Sequence, residues 1–266
     1  MSPAPHTPAA SVPPVTDDAR WLHDGGRAGA WGSLGLWAAD TPDYFGACAA
    51  LAGAVAGAAG LRRGERVLSV ACGAGEELRC WAEDFGAAEV VGVELDAALV
   101  AAARHRVPQA RVIEASGTAL EATGLPAASF DRVLCVDAAY HLHPREAFLR
   151  GALQRLRPGG RLAFTDLVAP QRRGALALAA RLCGVPPDGL LSAEAQQARL
   201  HALGFADVRC ERLDDAVLGG FARFVHARRV APWRWPRVAA TAALIGPCRA
   251  AGLGYAMLSA SRPART

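Results

Sequence analysis

An α/β fold, a doubly wound and mainly parallel sheet, is what the 266-residue sequence predicts. Three observations carry that expectation. Residues 67–71, Val-Leu-Ser-Val-Ala, are mostly apolar on both faces, as suits a central strand covered by helices on each side. A loop of small residues, Ala71-Cys72-Gly73-Ala74-Gly75, follows at once. Beyond it, helical and extended patterns alternate along most of the chain, which is the sequence signature of a doubly wound sheet.

Taken in order, the patterning predicts helix 43–59, strand 66–71, helix 75–86, strand 89–94, helix 97–106, strand 111–115 and a short turn region. Strand 131–136, helix 144–156 and strand 160–166 come next. Pro144 suits the first turn of its helix, and Gly159-Gly160 suit the turn that ends it. After Asp166 the alternation loosens into helices 172–183 and 192–203, strand 206–213, a helical stretch of about 215–250 broken at Pro232 and Pro236, and strand 254–261. Residues 1–15 are rich in Pro and Ala and read as a disordered tail. Residues 16–60 read as a helical entry segment or lid, and 61–266 as the core domain, with 215–250 inserted in it.

The chemistry begins at the first strand and its loop. Gly73 and Gly75 permit a sharp turn and let a ligand approach N–H groups at the start of the next helix, where a Cβ would intrude. Nineteen residues after Gly75, the strand Val90-Val-Gly-Val-Glu94 ends in a carboxylate able to accept from two ribose hydroxyls. Together these read as a nucleoside-cofactor site. A nicotinamide fingerprint would place a third glycine where Leu78 stands, which counts against a reductase without removing it.

Four blocks in register give the chain a family resemblance. They are Val67–Gly75, Val90–Glu94, Ser129-Phe-Asp-Arg-Val133 and Leu156-Arg-Pro-Gly-Gly-Arg-Leu162. In this order they resemble the class I S-adenosylmethionine-dependent methyltransferases, and the likeness extends thinly over most of the chain. It implies a seven-stranded sheet of order 3-2-1-4-5-7-6 with the last strand antiparallel. It also implies S-adenosyl-L-methionine as cofactor, its methionine end against Ser69, Ala71, Cys72, Gly73 and Gly75 and its ribose at Glu94 beside Leu95. The adenine falls at Gly117-Thr118-Ala119, where Thr118 occupies the place of a family Asp; a shifted alignment would choose Glu121 instead. Two positions depart from the pattern. Ser69 stands where the family has Asp or Glu, and Ala71 where it has its first Gly, a change without cost if φ there stays negative.

Methyl transfer to a hydroxyl gains from a base beside the reacting centre. The segment Cys135–His143 arrives there, and within it His141 is the candidate base, since imidazole titrates near neutrality. Packing over, or capping, the following helix is the competing role for His141 and His143. Asp137 either faces the cofactor, orients the base or serves as a structural acceptor, and Tyr140 lines the pocket. Acceptor recognition falls to aromatic residues outside the blocks: Trp21, Trp31, Trp37 and Tyr44 early, and Phe221, Phe224, Trp233 and Trp235 late. These wall an apolar ligand site or anchor helices to the core. The stretches 73–81 and 137–141 resemble methyltransferases of bacterial secondary metabolism, macrolide-sugar O-methyltransferases among them. A cofactor-binding pseudoenzyme and methylation at nitrogen or carbon stay open.

Composition excludes other classes. All 29 basic residues are Arg and Asn is absent, as a GC-biased coding sequence gives, so the arginines are not a nucleic-acid signal. The net charge of +4 is modest, and no basic run is interleaved with stacking aromatics. Seven scattered cysteines offer neither a disulfide framework nor a metal-ligand spacing. No signal-peptide layout or membrane-length apolar run is present, so a cytoplasmic enzyme acting on a small molecule, monomeric or homodimeric, is the expectation.

Overall fold

The computed structural model describes residues 30–170, 176, 185, 190–228 and 236–264. Its centre is a seven-stranded sheet in the order β3-β2-β1-β4-β5-β7-β6. The strands are β1 (Arg66–Val70), β2 (Glu89–Glu94), β3 (Arg111–Glu114), β4 (Phe130–Cys135), β5 (Leu156–Val168), β6 (Ala206–Arg212) and β7 (Gly254–Ser261). β1 to β5 pair in parallel, while β7 runs antiparallel between β5 and β6. The order and the reversed last strand are those implied by the resemblance.

Helices cover both faces, because each central strand turns apolar side chains alternately to either side. Val67, Leu134, Ala163 and Met257 share one core with α1 (Tyr44–Ala59), α2 (Glu76–Glu83) and α3 (Ala97–Arg106). Leu68, Val133, Leu162 and Leu258 share the other with α4 (Arg145–Arg155) and α5 (Ala193–Ala202). α1 begins where the Asp43 carboxylate accepts from Gly46 N–H and ends at Gly60, whose φ of 65° is left-handed. In the same way the Asp96 side chain caps α3, accepting from Ala98 and Leu99.

Several boundaries move. α4 starts at Arg145, with Pro144 the extended residue before it, and stops at Arg155. β5 then begins at Leu156 rather than at 160, since Pro158 disfavours helical geometry at Arg157 and Leu156 already pairs with Phe130. Gly159, at φ 79°, falls where the β4–β5 register shifts. The late helical stretch resolves into a π turn (Asp215–Gly219) running into α6 (Gly220–Ala227), then α7 (Pro236–Ala250). Pro236 therefore opens a helix instead of breaking one, and Pro247 lies inside it. The expected tail 1–15, Trp21, Trp233, Trp235, Pro232 and, apart from Leu176, helix 172–183 lie outside the described residues.

Candidate active site

The carboxyl ends of β1, β2 and β4 gather most of the predicted residues. β1 delivers Ser69, fully buried, and the loop 71–75 bends back so that Cys72 N–H donates to Val93 O of β2 at 3.1 Å. Gly73 N–H donates to Glu94 Oε2 at 2.9 Å. The other oxygen of Glu94 accepts from Leu95 N–H at 2.8 Å and Asp96 N–H at 3.1 Å. Glu94 thus faces the glycine loop. Leu95 beside it is 67% exposed, the one large apolar side chain among the described residues left so open.

The loop geometry demands its glycines, and one residue that is not glycine. Gly73 and Gly75 have φ of 53° and 89°, and Ala103 of α3 lies 3.1 Å from where a Gly75 Cβ would sit. Ala71 also takes φ 59°, so the condition under which its side chain would cost nothing is not met. The left-handed region costs an L-residue roughly 1–2 kcal/mol relative to the right-handed one.

After β3, Gly117 packs where a Cβ would come 2.6 Å from Val70 Cγ1 and 3.0 Å from Leu142, so it brings that loop onto the end of β1. Thr118 and Ala119 follow, half-buried, and Thr118 Oγ1 lies 2.8 Å from Ser116 Oγ. Glu121, the other adenine candidate, is exposed on a short 3-10 turn.

Asp137, two residues past the end of β4 and at φ 51°, is buried with both oxygens engaged. Oδ1 lies 3.0 Å from the Tyr140 hydroxyl and 2.7 Å from that of Tyr255, and Oδ2 accepts from Leu34 N–H at 2.6 Å. Burial pushes its carboxyl up to about 6, against the lowering effect of those donors. This is the geometry of a structural acceptor, one of the three roles the sequence left open. His141 is exposed on the 3-10 turn after β4, its ring centroid 4.4 Å from that of Tyr140.

The Leu34 bond belongs to a strap that sequence reasoning saw only as aromatic residues. Residues 30–37 cross the strand ends. Ala30 N–H donates to Glu76, Leu34 N–H to Asp137, Leu36 N–H to Ala47 O and Trp37 N–H to Ala216 O. Trp31, Tyr44 and Phe221 are buried in the core, and the Trp37 ring lies against Phe224 at 4.4 Å. They are anchors, the second of the two roles considered. Within the strap, Trp31 Nε1 and Ser33 Oγ are buried and have no hydrogen-bond partner among the described residues. A groove of about 530 Å³ between α6 and α7 shares none of these residues, and its Arg223 and Arg249 are both engaged by Asp215.

Two acidic residues were missed. Glu76 and Glu77 open α2 and are both buried. Arg106 and Arg79 flank the Glu76 carboxylate at 3.0 and 3.4 Å. Glu77 instead accepts from the Ser69 hydroxyl at 2.6 Å. Burial drives its carboxyl up to about 8, outweighing that bond, and nearby Glu94 and Asp137 push the same way. The signal was present in sequence as two consecutive carboxylates straight after the glycine loop.

These residues fit a cationic nucleoside cofactor. Gly73 has open space beside it where a Cβ would stand, Glu94 offers an acceptor at the loop, and the Glu77, Glu94 and Asp137 carboxyls lie close enough to raise the proton affinity of Glu77.

Comparison with known proteins agrees. Residues 68–164 match the family described as Methyltransferase domain. Erythromycin 3''-O-methyltransferase of Saccharopolyspora erythraea is 32% identical over 217 residues, 74% of this chain and 68% of that protein. The 27-O-demethylrifamycin SV methyltransferase of Amycolatopsis mediterranei is 32% identical over 179 residues, covering 64% of each. Among solved structures, geranyl diphosphate C-methyltransferase from Streptomyces coelicolor, in complex with Mg²⁺, geranyl diphosphate and S-adenosyl-L-homocysteine, superposes with a TM-score of 0.71. It is 15% identical, over 96% of this chain and 100% of that one. The [4+2]-cyclase SpnF superposes with 0.69 at 23% identity over 88% of each chain, so these likenesses speak for the fold alone. Strand order, glycine loop, acidic residue after β2 and relatives converge: the chain belongs to the class I S-adenosylmethionine-dependent methyltransferases that act on small molecules.

Proposed function

We propose that this protein O-methylates a hydroxyl on a mid-sized, partly apolar secondary metabolite, using S-adenosyl-L-methionine. The observation that carries the cofactor reading is Glu94 facing the Gly73 N–H across the ends of β1 and β2. The oxygen as acceptor rests on the erythromycin and rifamycin relatives named above. Among the described residues, no helix is long and apolar enough to cross a membrane.

In this reading the cofactor supplies an electrophilic methyl group on a sulfonium. Glu94 accepts from the ribose hydroxyls, Leu95 offers its exposed side chain to the adenine, and Gly117-Thr118-Ala119 close the far side. The loop 71–75 presents backbone N–H groups without intervening side chains. Asp137 fixes the strap through Leu34 and so keeps water from the methionine end. His141, exposed beside this ring of residues, takes the proton of the acceptor hydroxyl. Alignment of the two reactants supplies most of the acceleration, and a base adds roughly 10²–10⁴-fold.

The test is release of S-adenosylhomocysteine on incubation with hydroxylated macrolides and ansamycins. His141→Ala is expected to keep cofactor affinity while turnover falls at least about tenfold. Unchanged turnover removes His141 from the mechanism. Cofactor binding with no product from any acceptor would favour the pseudoenzyme.

A further inference from the structure

Glu77 is a buried acid without a countercharge. Its neighbour Glu76 is answered by Arg79 and Arg106, whereas Glu77 holds only the Ser69 hydroxyl, and no cation pairs with it among the described residues. The ionisable groups that face it are Cys72 on the loop, Cys80 one turn on in α2, Glu94 at the end of β2, and Cys135 and Asp137 at the end of β4. All three thiols are held protonated by burial, so the ionised neighbours are carboxylates. A carboxylate this deep is costly unless a cation joins it. A cluster of such groups around a glycine loop is a receptor for positive charge.

We propose that Glu77, presented from the first turn of α2 and oriented by Ser69, binds the α-ammonium group of the cofactor's methionine end. This rests on the reading that the loop 71–75 receives that end and Glu94 the ribose. The sequence then places its negative charge on the helix, where β1 carries only a hydroxyl. Ser69 and Glu77 act as one unit, the hydroxyl taking Oε1 and leaving Oε2 for the ligand. Glu77 is held mostly protonated in the free protein at neutral pH, with its carboxyl up at about 8. Binding an ammonium group there favours the carboxylate, so complex formation releases a proton. Asp137, at about 6, is already mostly ionised at pH 7 and contributes little to that release.

The experiment is calorimetric titration of the wild type, Glu77→Gln and Glu94→Ala with S-adenosylmethionine, S-adenosylhomocysteine and 5′-methylthioadenosine, which lacks the amino-acid end. Glu77→Gln keeps the shape and can still accept from Ser69. It is expected to weaken both amino-acid ligands at least tenfold and to leave methylthioadenosine within twofold. Equal affinity for all three ligands in wild type and Glu77→Gln overturns the proposal, and so does parallel weakening of all three. Loss confined to S-adenosylmethionine assigns Glu77 to the sulfonium and overturns the ammonium pairing. Should the variant fail to melt cooperatively, the wild type decides in buffers of different ionisation enthalpy. At pH 7 it should release most of one proton with S-adenosylhomocysteine and none with methylthioadenosine; no difference overturns the proposal. Glu94→Ala tests the underlying pose separately, since it should weaken methylthioadenosine as well.

Discussion

Ala71 holds a left-handed backbone that its own side chain disfavours, and the loop keeps it there because every neighbour needs the same turn. Cys72 must reach Val93 O, and Gly73 must reach Glu94. Gly92 shows how tight this is, since a Cβ there would lie 2.6 Å from Cys72 Sγ. Ala71→Gly relieves the strain but makes the unfolded chain more flexible, and the two effects partly cancel. The expected balance is a stabilisation of about 0.5–1 kcal/mol, read as a rise of roughly 1–4 °C in the melting temperature. A lowered melting temperature would show that the alanine methyl packs more usefully than its backbone costs. Sequence could name Ala71 as a departure from a glycine pattern. It could not supply the sign of φ, which depends on where β2 and α3 press against the loop. Glu77 was hidden for a similar reason: its partner Ser69 lies eight residues away, across a turn whose geometry decides whether the two side chains meet.

At the scale of elements, the strap of residues 30–37 couples the two ends of the chain to the site. Trp37 donates its backbone N–H to Ala216 within the π turn, and Gly220 opens α6 directly beneath the indole. A Cβ at Gly220 would fall inside the Trp37 side chain. Gly220→Ala is therefore expected to destabilise by about 1–3 kcal/mol, the usual cost of overpacking, and to expose the strap to protease before the sheet. An unchanged melting temperature and digestion pattern would mean that Trp37 is free to move aside. Most strands and helices were legible to within a residue or two: β2, α3 and β7 have the predicted bounds and α1 differs by one, while α2 ends three residues early. The boundary between α4 and β5 was not. Its glycines read as a turn, yet backbone pairing with β4 extends the strand through Pro158 and Gly159. The strap's hydrogen bonds to Glu76 and Asp137 span 46 and 103 residues in sequence, and no local pattern encodes them.

For the whole molecule, the reversal of strand order at β1 and β4 explains where the chemistry lies. Neighbouring strands there send their loops to opposite sides, and the crevice between them opens at their carboxyl ends. The four sequence blocks were legible because three of them are strands or turns of this crevice, fixed by backbone geometry that few residue types satisfy. The strap was illegible because long-range hydrogen bonds and packed aromatic residues hold it. Whether Glu94 and the loop 71–75 hold one S-adenosylmethionine between them is decided by titrating wild type and Glu94→Ala with that ligand and with NADH. The wild type is expected to bind S-adenosylmethionine and not NADH, and Glu94→Ala to lose at least about tenfold in affinity, the worth of a charge-assisted hydrogen bond. Equal affinity in the two proteins, or tight binding of NADH alone, would contradict it.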